Sequence, residues 1–121
     1  MMDNNYRDLI VYQKSYSLTL EIYKIARTFP REELFALSSQ IKCAAYSIPL
    51  NIAEGYGKKA SANEFKRFIL IALGSSDEMS VLLDLCKDLE FVEEKVHKHL
   101  SSEYQEIGKM LNKLHQSWSK F

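Results

Sequence analysis

Seven apolar residues near the end of the chain, Val96, Leu100, Tyr104, Ile107, Leu111, Leu114 and Trp118, recur at steps of four and three without a break. Only an α-helix brings such positions onto one side, and a seam this regular needs other helices to cover it. The same spacing recurs upstream. Between about residues 7 and 29, one aliphatic stripe runs through Val11, Leu18, Ile22, Ile25 and Phe29, and a second through Leu9, Tyr12, Tyr16, Leu20 or Thr19, and Tyr23. A helix in a simple bundle needs one apolar stripe, so two predict burial on two sides. Tyr12, Tyr16 and Tyr23 are therefore candidate residues of an interface between copies of the chain; extra core and stacking on unpaired bases are the alternatives.

Local signals divide the rest. Pro30 ends the first helix by disfavouring α geometry at Phe29, and Pro30, Arg31, Glu32 and Glu33 read as the first turn of a short helical connector. Ile41, Ala45, Ile48 and Ile52 continue the helical spacing, with Pro49 inside it costing one hydrogen bond and bending the helix. Gly55 and Gly57 are placed for a left-handed C-cap. Ser61-Ala62-Asn63-Glu64 is a capping box that starts a helix at Ala62. That helix carries Phe65, Phe68, Ile69, Ala72, Met79, Leu82, Leu83 and Cys86 inward. Gly74 costs a solvated helix about 1 kcal/mol relative to Ala, which predicts a close approach there by Ala44, Ala45 and Ser47. The prediction is all-α: one domain over residues 1–121, an antiparallel up-down-up-down bundle with helices at about residues 7–29, 38–55, 62–88 and 92–118.

Composition narrows the function. The 121 residues carry 16 Lys and Arg against 16 Asp and Glu, net zero with histidine neutral, which argues against a strongly basic nucleic-acid binder and leaves a local patch. Such a patch exists at Lys58, Lys59, Lys66 and Arg67, the candidate nucleic-acid-binding residues. Asp77, Glu78, Asp84, Asp88, Glu90, Glu93 and Glu94 make the far end of the same helix acidic, against its macrodipole. An ordinary solvated face is one reading of this pattern; in the other, a basic end suits a phosphate or acidic partner, an acidic end a basic protein, and in a head-to-tail ring the two ends meet. Asn51 and Glu54, three apart on one face, read as a structural polar pair fixing helix register, with Lys66 or Arg67 as the cation for Glu54.

Catalysis finds little support. A di-iron bundle needs two Glu-x-x-His copies, and only Glu94-Lys95-Val96-His97 has that spacing, so no metal or cofactor is expected. Gly55-Tyr56-Gly57-Lys58 lacks the spacing of a phosphate loop. Cys43 and Cys86, far apart and without a nearby base, read as buried core thiols of a reduced, cytoplasmic chain. Residues 1–5 have neither the basic nor the apolar region of a signal peptide, and no apolar run approaches a membrane span.

Four runs bring a resemblance. They are Asp8-Leu9-Ile10-Val11-Tyr12-Gln13-Lys14-Ser15, Phe29-Pro30-Arg31-Glu32-Glu33-Leu34-Phe35-Ala36-Leu37, residues 40–55 with Ser47-Ile48-Pro49-Leu50-Asn51-Ile52-Ala53-Glu54-Gly55 at their end, and Glu64-Phe65-Lys66-Arg67-Phe68-Ile69-Leu70-Ile71-Ala72-Leu73-Gly74-Ser75. Over about residues 8–83 the chain resembles the bacterial four-helix-bundle family of 23S rRNA intervening-sequence proteins. The resemblance implies a homopentameric ring without established catalytic activity, in a family often encoded within insertions in 23S rRNA genes. It extends to the accessory protein of diversity-generating retroelements, a pentameric barrel that binds a reverse transcriptase and nucleic acid through basic surface. This chain departs from that relative in its zero net charge, and has Cys43 where the family often has a basic residue. Asn51, Glu54, Lys66 and Arg67 match the family motif, which gives them no proven role. The partners implied are further copies of the chain and RNA or a ribonucleoprotein, or else a protein partner alone.

Overall fold

The computed structural model describes residues 5–118; residues 1–4, which carry most of the segment read above for a leader, and residues 119–121 lie outside the described part. Four α-helices account for the architecture: α1 Ile10–Ala26, α2 Leu37–Gly57, α3 Ala62–Asp88 and α4 Glu94–Ser117. They form an antiparallel up-down-up-down bundle in which α1 and α3 each pack against α2 and α4 and lie diagonally opposite one another. The expected inward residues of α3 are all buried, as are Leu100, Tyr104, Ile107 and Leu111 of the α4 seam, with Val96, Leu114 and Trp118 packed against that core.

The first helix is shorter than the spacing predicts at both ends. A 3-10 turn, Tyr6–Asp8, precedes it because the Asn5 side chain accepts the Arg7 amide proton, and Leu9 is extended between the two. At the other end the helix stops at Ala26, and the Thr28 and Phe29 amides turn back onto Ile25 and Ala26. Phe29 is thereby buried, its ring 5.3 Å from that of Phe91. Pro30 caps a 3-10 turn, Arg31–Glu33, from just outside it.

Pro49 lies inside α2, and its missing N–H leaves the Ala45 carbonyl without its helical partner. The Thr19 hydroxyl of α1, itself buried, takes that place: it is shared between Ser15 O at 2.8 Å and Ala45 O at 3.2 Å. The proline's cost is thus met by a neighbouring helix.

The glycines differ from expectation. Gly55 and Gly57 are helical and no described glycine has a positive φ, so α2 ends without a left-handed cap. Among the described residues the left-handed one is Glu90, at φ 64°. Its amide bonds to Lys87 O at 2.9 Å and that of Phe91 to Cys86 O at 2.8 Å, the two bonds of a Schellman ending for α3. Gly74 is no contact point: a Cβ there would meet nothing within 4 Å. Ala72 and Ser76 face the core, so the residue midway between them on a helix points away. The close approach of α2 to α3 is at Gly55, where a Cβ would lie 2.8 Å from Phe68 Cβ. Higher up, Ser47 and Ser75 join the same two helices through their hydroxyls at 2.8 Å.

Candidate functional surfaces

The α2–α3 corner gathers the basic quartet. Lys58 follows the last residue of α2, Lys59 follows in the turn, and Lys66 and Arg67 stand on the first turns of α3. Ser61 Oγ accepts the Glu64 amide proton at 3.2 Å, the forward half of the capping box. The return half is not made. The Glu64 carboxylate instead takes Arg67 Nε and Nη2 at 3.3 and 3.2 Å, which holds Glu64 below the usual carboxylate range and raises the guanidinium. Lys58 also lies close enough to lower Glu64, and both Lys58 and Arg67 sit over the Phe68 ring. Lys58, Lys59 and Lys66 make no ion pair among the described residues. The corner is therefore a lysine-rich surface around one internally neutralised arginine.

Asn51 and Glu54 are not joined. The Asn51 amide donates to Ser47 O at 2.7 Å and Ser47 Oγ at 3.1 Å, within its own helix. Glu54 is exposed; of the two cations expected for it, Arg67 is taken by Glu64 and Lys66 makes no ion pair among the described residues. Glu64 is three residues from Arg67 on one helix and needs no long-range placement to reach it.

The second stripe of α1 divides: Leu9 and Tyr12 pack against the core, and Tyr16, Leu20 and Tyr23 stay outside it. Tyr16 is 51% and Leu20 57% exposed, and Tyr23 is open too. Tyr12 is half-buried and packs in a file with Tyr6 and Tyr16, ring centroids 5.0 and 5.8 Å away; burial pushes its hydroxyl up. Sequence reasoning missed that α2 extends this surface. Tyr46 and Leu50, 43% and 51% exposed, are one helical turn apart, and Lys42 Nζ lies 5.4 Å from the Tyr23 ring centroid. An apolar i, i+4 pair on the flank opposite Ile41, Ile48 and Ile52 was the available signal. On the diagonal helix, Leu70, Val81 and Leu85 are exposed on the side where Gly74 faces out.

Cys43 is exposed beside Tyr46, so only Cys86 is the core thiol expected of both; burial pushes Cys86 up to about 11. The side chain of Cys43 raises the Tyr46 hydroxyl in turn. Position 43 falls two residues from Ile41 and Ala45, which point inward, and hence on the outer face.

His97 of the single Glu-x-x-His spacing is engaged elsewhere, with Asp84 Oδ1 at 2.8 Å and Ser101 Oγ at 3.2 Å, while Glu94 is exposed. No group of three or more His, Cys, Asp or Glu among the described residues is placed to hold a metal ion. No described helix is long and apolar enough to cross a membrane. The acidic end is less uniform than the sequence of α3 suggests. The topology sets the α1–α2 connector, with Arg27 and Arg31, at the same end as Glu90, Glu93 and Glu94, and the Phe29–Phe91 contact ties the two connections together.

Comparison with known proteins agrees with this architecture. A crystal structure of a protein of unknown function from the S23 ribosomal protein family of Bacteroides thetaiotaomicron VPI-5482 superposes with a TM-score of 0.80 at 25% identity, covering 88% of this chain and 96% of that one. A search of curated proteins finds no match. Residues 7–113 match the model of one family across all four helices, and by that match the chain belongs to the 23S rRNA-intervening sequence proteins.

Proposed function

We propose that this protein is a non-catalytic bundle that assembles into a closed ring of identical copies and acts in the cytoplasm as a scaffold for RNA or a ribonucleoprotein. The observation that carries the reading is the pair of unlike apolar surfaces on opposite sides of the protomer. Tyr16, Leu20, Tyr23, Tyr46 and Leu50 lie on the α1–α2 side, and Leu70, Val81 and Leu85 on α3. Two different surfaces that dock on one another make a head-to-tail contact, which closes into a ring when the rotation permits. The resemblance to pentameric relatives sets the expected number at five. A ring repeats Lys58, Lys59 and Lys66 in every copy, so that weak patches gain by avidity what each alone lacks. The likeness to the retroelement accessory protein supports a nucleoprotein partner.

The pairing of Arg67 with Glu64 favours a second reading, a protein adaptor without nucleic-acid binding, because it leaves the corner with less free positive charge. One experiment separates the two. Light scattering after gel filtration gives the subunit number, and Tyr16→Asp with Tyr23→Asp should return the chain to a folded monomer. Fluorescence anisotropy of the intact oligomer with a structured rRNA fragment, across a salt series, should show log affinity falling with log salt. Binding lost on changing Lys58, Lys59, Lys66 and Arg67 to Glu supports the RNA scaffold. Absence of binding even at low salt, with the oligomer intact, leaves the adaptor. A monomeric wild-type chain overturns both.

A further inference from the structure

The α1–α2 connector lines a cleft of about 270 Å³ that shares Tyr23 and Lys42 with the aromatic surface above. Arg27 and Arg31 line it from the connector, Lys42 from α2 and Tyr23 from α1, over a floor that includes Phe29 and Leu34. Among the described residues, no carboxylate lines it. None of the three cations makes an ion pair among the described residues, whereas Arg67 and Lys14 do. The nearest acids in sequence are otherwise directed: Glu33 accepts the Leu37 amide proton at 3.3 Å, and Glu32 is exposed. Ser38, also in the lining, is buried in the first turn of α2 and donates its hydroxyl to Ala26 O at 3.3 Å.

We infer that this cleft is a binding site for a phosphomonoester. Two guanidinium forks and an ammonium lining one cleft that holds no carboxylate suit a small dianion with several acceptor oxygens better than a carboxylate. The volume falls just below the ~300 Å³ at which pockets begin to hold drug-sized ligands, which leaves room for the phosphate and one sugar- or ring-sized group. Leu34, half exposed in the lining, offers that group an apolar contact. The site lies at the end of the bundle opposite Lys58, Lys59, Lys66 and Arg67, and does not rest on the function proposed above.

The phosphomonoester can come from a free nucleotide or from the 5′ end of a nucleic acid, and calorimetric titration of the full chain distinguishes them. The probes are AMP, adenosine, and one short RNA with either a 5′-phosphate or a 5′-hydroxyl. AMP should bind at least about tenfold more tightly than adenosine, the equivalent of one charge-assisted hydrogen bond. Arg27→Gln with Arg31→Gln should remove that preference with the oligomeric state and melting midpoint kept, whereas Lys58→Gln with Lys59→Gln should leave it intact. Lys42→Gln serves as a second variant if the double arginine change unfolds the connector. A 5′-phosphorylated RNA that outcompetes both AMP and its 5′-hydroxyl form names the nucleic-acid end as the source; equal competition by AMP names the free nucleotide. Equal affinity for AMP and adenosine, no binding of any probe at millimolar concentration, or a preference unchanged in the cleft variants overturns the inference.

Discussion

The α2–α3 corner and the middle of α3 each hold a glycine inside a helix, and they use it in opposite ways. At the corner Gly55 is buried with its α-carbon against Phe68, and the missing side chain lets two helices come together. In the middle of α3, Gly74 faces outward with nothing within 4 Å of a Cβ. A helical glycine therefore marks close packing only where its phase matches the buried stripe. The third place where a glycine would serve, the left-handed ending of α3, is occupied by Glu90.

Substitutions sharpen this contrast. Gly55→Ala should cost about 2–3 kcal/mol, at the upper part of the usual overpacking range, because the atom it strikes is a Cβ that cannot swing aside. A midpoint within a degree of wild type in thermal melting would place the helices further apart than described. Thr19→Val keeps the volume but leaves Ala45 O without a donor in a buried site, and should lower stability by about 1–2 kcal/mol in urea titration. The same change on a Pro49→Ala background should cost less, since the backbone N–H restored there can donate to Ala45 O itself; equal cost in both backgrounds would break the link between proline and threonine. Gly74→Ala should stabilise the isolated protomer by about 0.5–1 kcal/mol through helix propensity alone. A loss of stability confined to the oligomer would instead place another copy against α3. Glu90→Gly should gain a similar amount, about 0.5–1 kcal/mol, by relieving left-handed backbone, provided the Schellman ending is kept.

The smallest effect is electrostatic. Lys14 Nζ donates to Glu103 Oε1 at 2.7 Å across α1 and α4, and this holds Glu103 below its usual value of 4.5. A carboxyl with a lowered folded value contributes stability that is present above its unfolded value and is lost as pH falls through the folded one. Melting curves should therefore lose a few tenths of a kcal/mol from this pair below about pH 4.5. Glu103→Gln should flatten that part of the profile; an unchanged acid limb would show that the pair adds nothing.

Much of the bundle was legible because buried helix faces repeat with a fixed period. The inward residues of α3 and the centre of the α4 seam were assigned from spacing alone, and so was the start of α3 from Ser61 and Glu64. The first helix was read too long because Asn5 competes for the Arg7 amide and Phe29 turns inward toward Phe91, a partner 62 positions later in the numbering. Glu54 was given a cation on the next helix, but Arg67 had Glu64 one turn away. The basic quartet was found as a cluster, while the internal neutralisation of its arginine was not. Tyr46 and Leu50 escaped the sequence reading because the spacing of Ile41, Ile48 and Ile52 marks only the buried phase of α2.

By itself the sequence determined the number of helices, their order, most of the residues that face inward and the family to which the chain belongs, since these rest on short-range spacing and motif. Tertiary structure decided which glycine is a contact, which hydroxyl answers Pro49, and that Arg27, Arg31 and Lys42 line one cleft. Those outcomes depend on groups from different helices meeting at distances of a few ångströms. Periodicity fixes which way a side chain points along its own helix. It leaves open what another helix places opposite.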